Sequence, residues 1–78
     1  MGNTGDVQAK HRLRYVKARV DLTTANVARL AGELVRAGAR DAHATADGEL
    51  AIGVVAPSYN AARVLADDLL ARTRTRLF

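Results

Sequence analysis

The sequence predicts a small α+β domain in which two helices cover one face of an antiparallel sheet. Segments with a two-residue apolar period, typical of strands, alternate with segments whose apolar residues recur every three or four positions, typical of helices. Asp47-Gly48 separates two alternating segments, as in a β-hairpin. The 78 residues have room for one domain. We assign this domain to residues 11–78 and interpret residues 1–10 as a flexible tail.

The first predicted strand lies within residues 11–22, where apolar side chains alternate with polar and basic ones. Its polar face is expected to carry Tyr15, Lys17 and Arg19. Thr23 is placed to cap the first helix, because its hydroxyl can accept an amide hydrogen of the first turn. The predicted apolar stripe of this helix comprises Val27, Leu30, Ala31, Leu34 and Val35, and Gly38 is placed to end the helix.

A hairpin is predicted over residues 40–56, followed by a second helix. Alternation on the second arm places Leu50, Ile52, Val54 and Ala56 on one face and Ala51, Gly53 and Val55 on the other. After Pro57, Ser58 is predicted to cap a helix whose stripe comprises Ala62, Leu65, Ala66 and Leu69. The last six residues, Thr73 to Phe78, alternate again and predict either a short strand or a basic tail.

The order β-α-β-β-α, with a possible short C-terminal β-strand, is typical of a small two-layer ferredoxin-like sandwich. The strand order would then be 4-1-3-2, with both helices on one face. The other face would be uncovered, and we predict that it is the working surface. Its expected residues are Tyr15, Lys17, Arg19, His43, Ala51, Gly53, Val55, Arg74 and Arg76.

We find no catalytic or metal-binding constellation in the sequence, and we predict a non-enzymatic protein without a cofactor. The chain has no cysteine, and His11 and His43 lack the spacing of metal ligands. Ser58, the only serine, is explained by helix capping. Asp67 and Asp68 are adjacent on a helix, so they project about 100° apart, which is poor geometry for a catalytic carboxylate pair.

A net charge of +4, with ten arginines and two lysines, favours anionic partners in a general way. A basic stripe would be formed by Lys17, Arg19, Arg74 and Arg76, beside the aromatic ring of Tyr15. Such a surface can bind phosphates and stack a base of a nucleic acid. RNA-binding sheets normally carry aromatic residues on both central strands. Here only one aromatic residue, Tyr15, is expected on the uncovered face. Nucleic-acid binding by an accessory or regulatory protein is therefore the second hypothesis.

Self-association is the first hypothesis. Small domains without disulfides often gain stability from it. Gly53 and Val55 would let a second sheet approach the uncovered face closely. We expect a small interaction domain, a homodimer or larger assembly joined through this face or through an edge strand. A small-ligand sensor at a dimer interface is the third hypothesis, because one fold hosts many functions.

The sequence contains no apolar run of about 18 residues and no recognisable signal peptide. We therefore expect a cytoplasmic protein without a membrane partner.

Overall fold

A computed structural model describes residues 11–21 and 23–77. The elements are β1 (Arg12–Ala18), α1 (Thr24–Ala37), β2 (Asp41–Ala44), β3 (Leu50–Ala56) and α2 (Tyr59–Leu77). The strands form one antiparallel sheet in the order β1-β3-β2. The predicted α+β domain with a ferredoxin-like β-α-β-β-α layout is confirmed. The tail predicted at residues 1–10 lies outside the described residues.

The core lies between the sheet and the two helices. β3 is the central strand, and its residues Leu50 and Ile52 are fully buried. Leu30 and Leu34 of α1 are fully buried against them in the same cluster. Burial of each such side chain contributes roughly 1.5–3 kcal/mol, so these residues hold the two layers together.

The predicted helix ends are confirmed. The Thr23 hydroxyl accepts the Asn26 amide hydrogen at 3.3 Å, and the Ser58 hydroxyl accepts that of Ala61 at 3.1 Å. α1 ends at Gly38, whose amide donates to the Val35 carbonyl at 3.1 Å. Polar side chains at two helix starts thus satisfy amides that have no partner within the helix.

The predicted hairpin turn is also confirmed. The Gly48 amide donates to the Thr45 carbonyl at 3.1 Å, and the Thr45 amide donates to the Glu49 carbonyl at 2.7 Å. Gly48 has φ 84°, whereas Asp47 keeps a negative φ. The loop is therefore a type I turn followed by a left-handed glycine, a common three-residue hairpin connection.

Two residues assigned to the apolar stripes are half exposed instead of buried. Val35 lies about 90° around α1 from the centre of the buried stripe, and Leu65 lies about 70° from that of α2. Both side chains therefore reach the border of the core and remain in contact with solvent. The other stripe residues of both helices are buried as predicted.

The C-terminal segment forms neither a strand nor a tail, because residues 73–77 continue α2. No glycine or proline interrupts the chain after Ser58. Thr73 follows Leu69 by four residues, is buried, and donates its hydroxyl hydrogen to the Leu69 carbonyl at 2.6 Å. Alternation over six residues was too short to outweigh this helical register. Phe78 lies outside the described residues.

The helical C-terminus changes the sheet. Arg74 and Arg76 lie on α2 and not on a fourth strand, so their predicted place on the sheet face is wrong. Within the described residues, β1 pairs with β3 only and is an edge strand. In the described part of the chain, neither helix is long and apolar enough to cross a bilayer.

Candidate interaction surface on the sheet

The sheet face opposite the helices, here called the open face, is organised around Gly53. Gly53 lies on the central strand, and the register pairs it with Tyr15 on one side and Asp41 on the other. A Cβ atom at Gly53 would lie 2.9 Å from Cε1 of Tyr15 and 3.1 Å from Cδ1 of Leu13. The absent side chain therefore lets the tyrosine ring lie directly against the backbone of the central strand.

A hydrogen-bonded cluster spans this row. The Tyr15 hydroxyl donates to Oδ2 of Asp41 at 2.6 Å, and Nδ1 of His43 lies 3.1 Å from the same oxygen. The Tyr15 and His43 rings meet edge to face with their centroids 5.6 Å apart. Asp41 and His43 share this face because side chains two residues apart on a strand point the same way.

The cluster alters two protonation equilibria. The hydrogen bond to Asp41 raises the pKa of the Tyr15 phenol above its ordinary value, assisted by desolvation and by the carboxylate charge. The same hydrogen bond lowers the pKa of Asp41, with a further contribution from His43. A neutral phenol and an ionised carboxylate therefore hold each other in place, which fixes the orientation of the Tyr15 ring.

Three large apolar side chains lie exposed at one end of the open face. Leu13, Tyr15 and Val55, here called the apolar patch, are 43%, 44% and 39% exposed. Leu13 and Val55 are cross-strand partners, and Tyr15 pairs with Gly53 in the next row. The apolar patch is therefore continuous across β1 and β3, which makes it a candidate contact surface.

Charged pairs occupy the other end of the open face. Nζ of Lys17 lies 3.9 Å from Oδ2 of Asp47, and Nε of Arg19 lies 3.9 Å from Oε2 of Glu49. Such exposed pairs contribute little to stability. They do balance the positive charge, so this end is mixed in charge and not a purely basic stripe.

The structure brings together most of the predicted site residues. Tyr15, Lys17, Gly53 and Val55 lie on neighbouring strands of the open face, and Arg19 follows the end of β1. Arg74 and Arg76 lie apart from them on α2.

Leu13 and Asp41 belong to the surface but were not predicted. Each lies two residues before a predicted face residue, Tyr15 and His43 respectively. Strand alternation, extended one step further back along each strand, would have identified both.

Within residues 11–21 and 23–77, no three histidine, aspartate or glutamate side chains are grouped to hold a metal ion. No protein family, no curated protein and no solved structure matches the chain.

Proposed function

We propose that the protein is a small non-enzymatic interaction domain that associates with a second copy of itself through the open face. The observation that carries this proposal is the apolar patch, in which Leu13, Tyr15 and Val55 remain exposed around Gly53. Covering such a patch removes apolar surface from water, which is the main driving force of protein association.

The centre of the open face suits close approach by another sheet. Gly53 has no side chain, so the Tyr15 ring lies directly against the central strand, and Ala51, the next residue of this face on β3, is buried. The hydrogen bond to Asp41 holds the Tyr15 ring before any partner arrives. A rigid aromatic side chain loses little entropy on binding, and this preorganisation favours association.

The area of the open face limits the expected affinity. Three strands about 4.8 Å apart and about seven residues long make a face of at most roughly 14 by 23 Å. Stable interfaces commonly bury about 800 Å² from each partner. The open face is smaller than this, so we expect a weak, reversible dimer.

Nucleic-acid binding has less support. Lys17 and Arg19 both have carboxylate partners, and Arg74 and Arg76 lie on a different element. A protein that neutralises phosphates needs several cations aligned along one surface.

The test is the mass of the protein in solution across a range of protein concentrations, measured by light scattering or sedimentation. Val55→Arg places a charge in the apolar patch and should yield a monomer with an unchanged circular dichroism spectrum. Val64→Arg is the matched control, because Val64 is 69% exposed on α2 and lies outside the sheet. The control should associate like the unsubstituted protein.

Other results would overturn the proposal. Val55 lies on β3, one strand in from the β1 edge, so a dimer that survives Val55→Arg would point to edge pairing instead. An unsubstituted chain that stays monomeric at all concentrations would exclude self-association. Excess ultraviolet absorbance from nucleic acid in the low-salt peak, lost at high salt, would favour the nucleic-acid hypothesis.

A further inference from the structure

A cleft of about 310 Å³ lies where the end of α1, the end of β3 and the middle of α2 meet. It exists because β2 begins at Asp41, opposite Gly53, so the last residues of β3 have no strand beside them on that side. This gap is lined by Ala37 and Gly38 at the end of α1 and by side chains of α2. Its volume is at the lower limit for small-molecule sites in proteins.

One part of the cleft wall is apolar. Val54 and Leu69 are buried at its floor, whereas Val55 and Leu65 flank it and remain partly exposed. An aliphatic or small aromatic group seated here would cover the exposed part of Leu65. Burial of that surface favours binding by roughly 25 cal/mol per Å².

The charged side chains lining the cleft are Arg40, Asp68 and Arg72. Asp68 and Arg72 form an ion pair at 3.0 Å, so their charges largely cancel. Among the described residues, the Arg40 guanidinium forms no ion pair with a carboxylate. The lining therefore has a net positive charge, located mainly at Arg40.

We propose that this cleft binds a small amphipathic anion, such as a medium-chain carboxylate. Its apolar body would lie against Val54, Leu65 and Leu69, and its anionic group would pair with Arg40. The volume accommodates roughly ten non-hydrogen atoms. The proposal does not depend on self-association, because one copy of the chain supplies all of these residues.

Calorimetric titration with octanoate tests the proposal, and 1-octanol is the matched ligand without charge. Arg40→Gln should weaken octanoate binding about two- to fivefold, because it removes the cation that faces the anion. Asp68→Asn should tighten binding by a similar factor, because it removes a carboxylate and releases Arg72. Neither substitution should change the affinity for 1-octanol.

Arg63→Gln is the control, since Arg63 is exposed on α2 and does not line the cleft. It should leave octanoate affinity unchanged. Opposite effects of Arg40→Gln and Asp68→Asn would support the site, because a general loss of stability would not produce them. Equal affinity in all variants, or no saturable octanoate binding at all, would overturn it.

The same titration on Leu13→Arg separates this inference from the proposed function. Leu13 belongs to the apolar patch but does not line the cleft. Octanoate binding retained by a monomeric Leu13→Arg variant would show that the two properties are independent. A stable dimer that binds no octanoate would leave the interaction domain standing and exclude the ligand site.

Discussion

The hydroxyl of Tyr15 on β1 bonds to the carboxylate of Asp41 on β2 at 2.6 Å, across the central strand that separates them. The bond is possible because Gly53 leaves the space that the tyrosine ring occupies. The absence of a side chain at Gly53 thus allows a side-chain hydrogen bond to join β1 and β2, whose backbones do not pair with each other.

The first prediction concerns the titration of Tyr15. Its neutral phenol is stabilised by Asp41, so its pKa should lie above the ordinary value of about 10. In a Tyr59→Phe background, phenolate absorbance reports Tyr15 alone. Asp41→Ala should return the midpoint toward the ordinary value. Asp47→Ala removes a carboxylate that accepts a hydrogen bond from Thr45, and it should leave the Tyr15 midpoint unchanged.

The sign of the linked stability follows from the two shifts. The raised pKa of Tyr15 gives a contribution that is complete below the ordinary phenol pKa and is lost as pH rises through the folded value. The lowered pKa of Asp41 gives a contribution that is present above the ordinary carboxyl pKa and is lost as pH falls through the folded value. Equal Tyr15 midpoints with and without Asp41 would contradict both statements.

Gly53→Ala and Gly32→Ala should change the free energy of unfolding in opposite directions. A methyl group at Gly53 would lie 2.9 Å from the Tyr15 ring, so we expect the ring to move away from Asp41 and the free energy of unfolding to fall. Gly32 lies within α1, and apart from its chain neighbours and the backbone of its own helix no atom lies within 4 Å of the added carbon, so alanine there should stabilise by about 0.5–1 kcal/mol. Urea denaturation measures both. In a Tyr15→Ala background the cost at Gly53 should disappear, and a cost that persists would locate the strain elsewhere.

Ile52 and Val55 lie on the same strand but on opposite faces of the sheet. Ile52→Ala opens a cavity in the core and should lower the free energy of unfolding by about 2–5 kcal/mol. Val55→Ala removes atoms from the open face, and its effect should stay within about 0.5 kcal/mol. Denaturation at low protein concentration checks the difference. Similar losses at both positions would mean that the open face is covered within one copy of the chain.

Thr73 tests the helical C-terminus. Thr73→Lys puts a charge at a buried position of α2 and should lower the free energy of unfolding by about 1–3 kcal/mol. Arg72→Lys, one residue earlier and exposed, should have almost no effect. Thermal unfolding distinguishes the two. A silent Thr73→Lys would argue that residue 73 does not pack against the core.

The fold could be predicted from the sequence wherever two signals agreed. Thr23 and Ser58 coincided with the start of a helical period, and Gly48 coincided with a break between two strand periods. Residues 73–77 carried one signal only, an alternation of threonine and arginine. That signal predicted a strand or a tail, whereas the segment continues α2. Val35 and Leu65 were misassigned because both lie at the edge of a helical stripe. Spacing along a helix does not show how far around the helix the core extends.

The candidate site could be predicted in part. Strand alternation placed Tyr15, Lys17, Gly53 and Val55 on one face without any knowledge of register. The contact between Tyr15 and Asp41 depends on register, since both must pair with Gly53, and register is a tertiary property. The cleft at Arg40 was not predictable, because it arises from β2 being shorter than β3.

The position of β1 in the sheet also bears on how the chain folds. β2 and β3 are neighbours in sequence and can form their hairpin within microseconds. β1 reaches β3 only after the chain has closed a loop that contains α1 and β2, and closure of a long loop slows folding. Docking of β1 would then be the late event, and in the Tyr59→Phe background the absorbance of Tyr15, which lies on β1, would report that step.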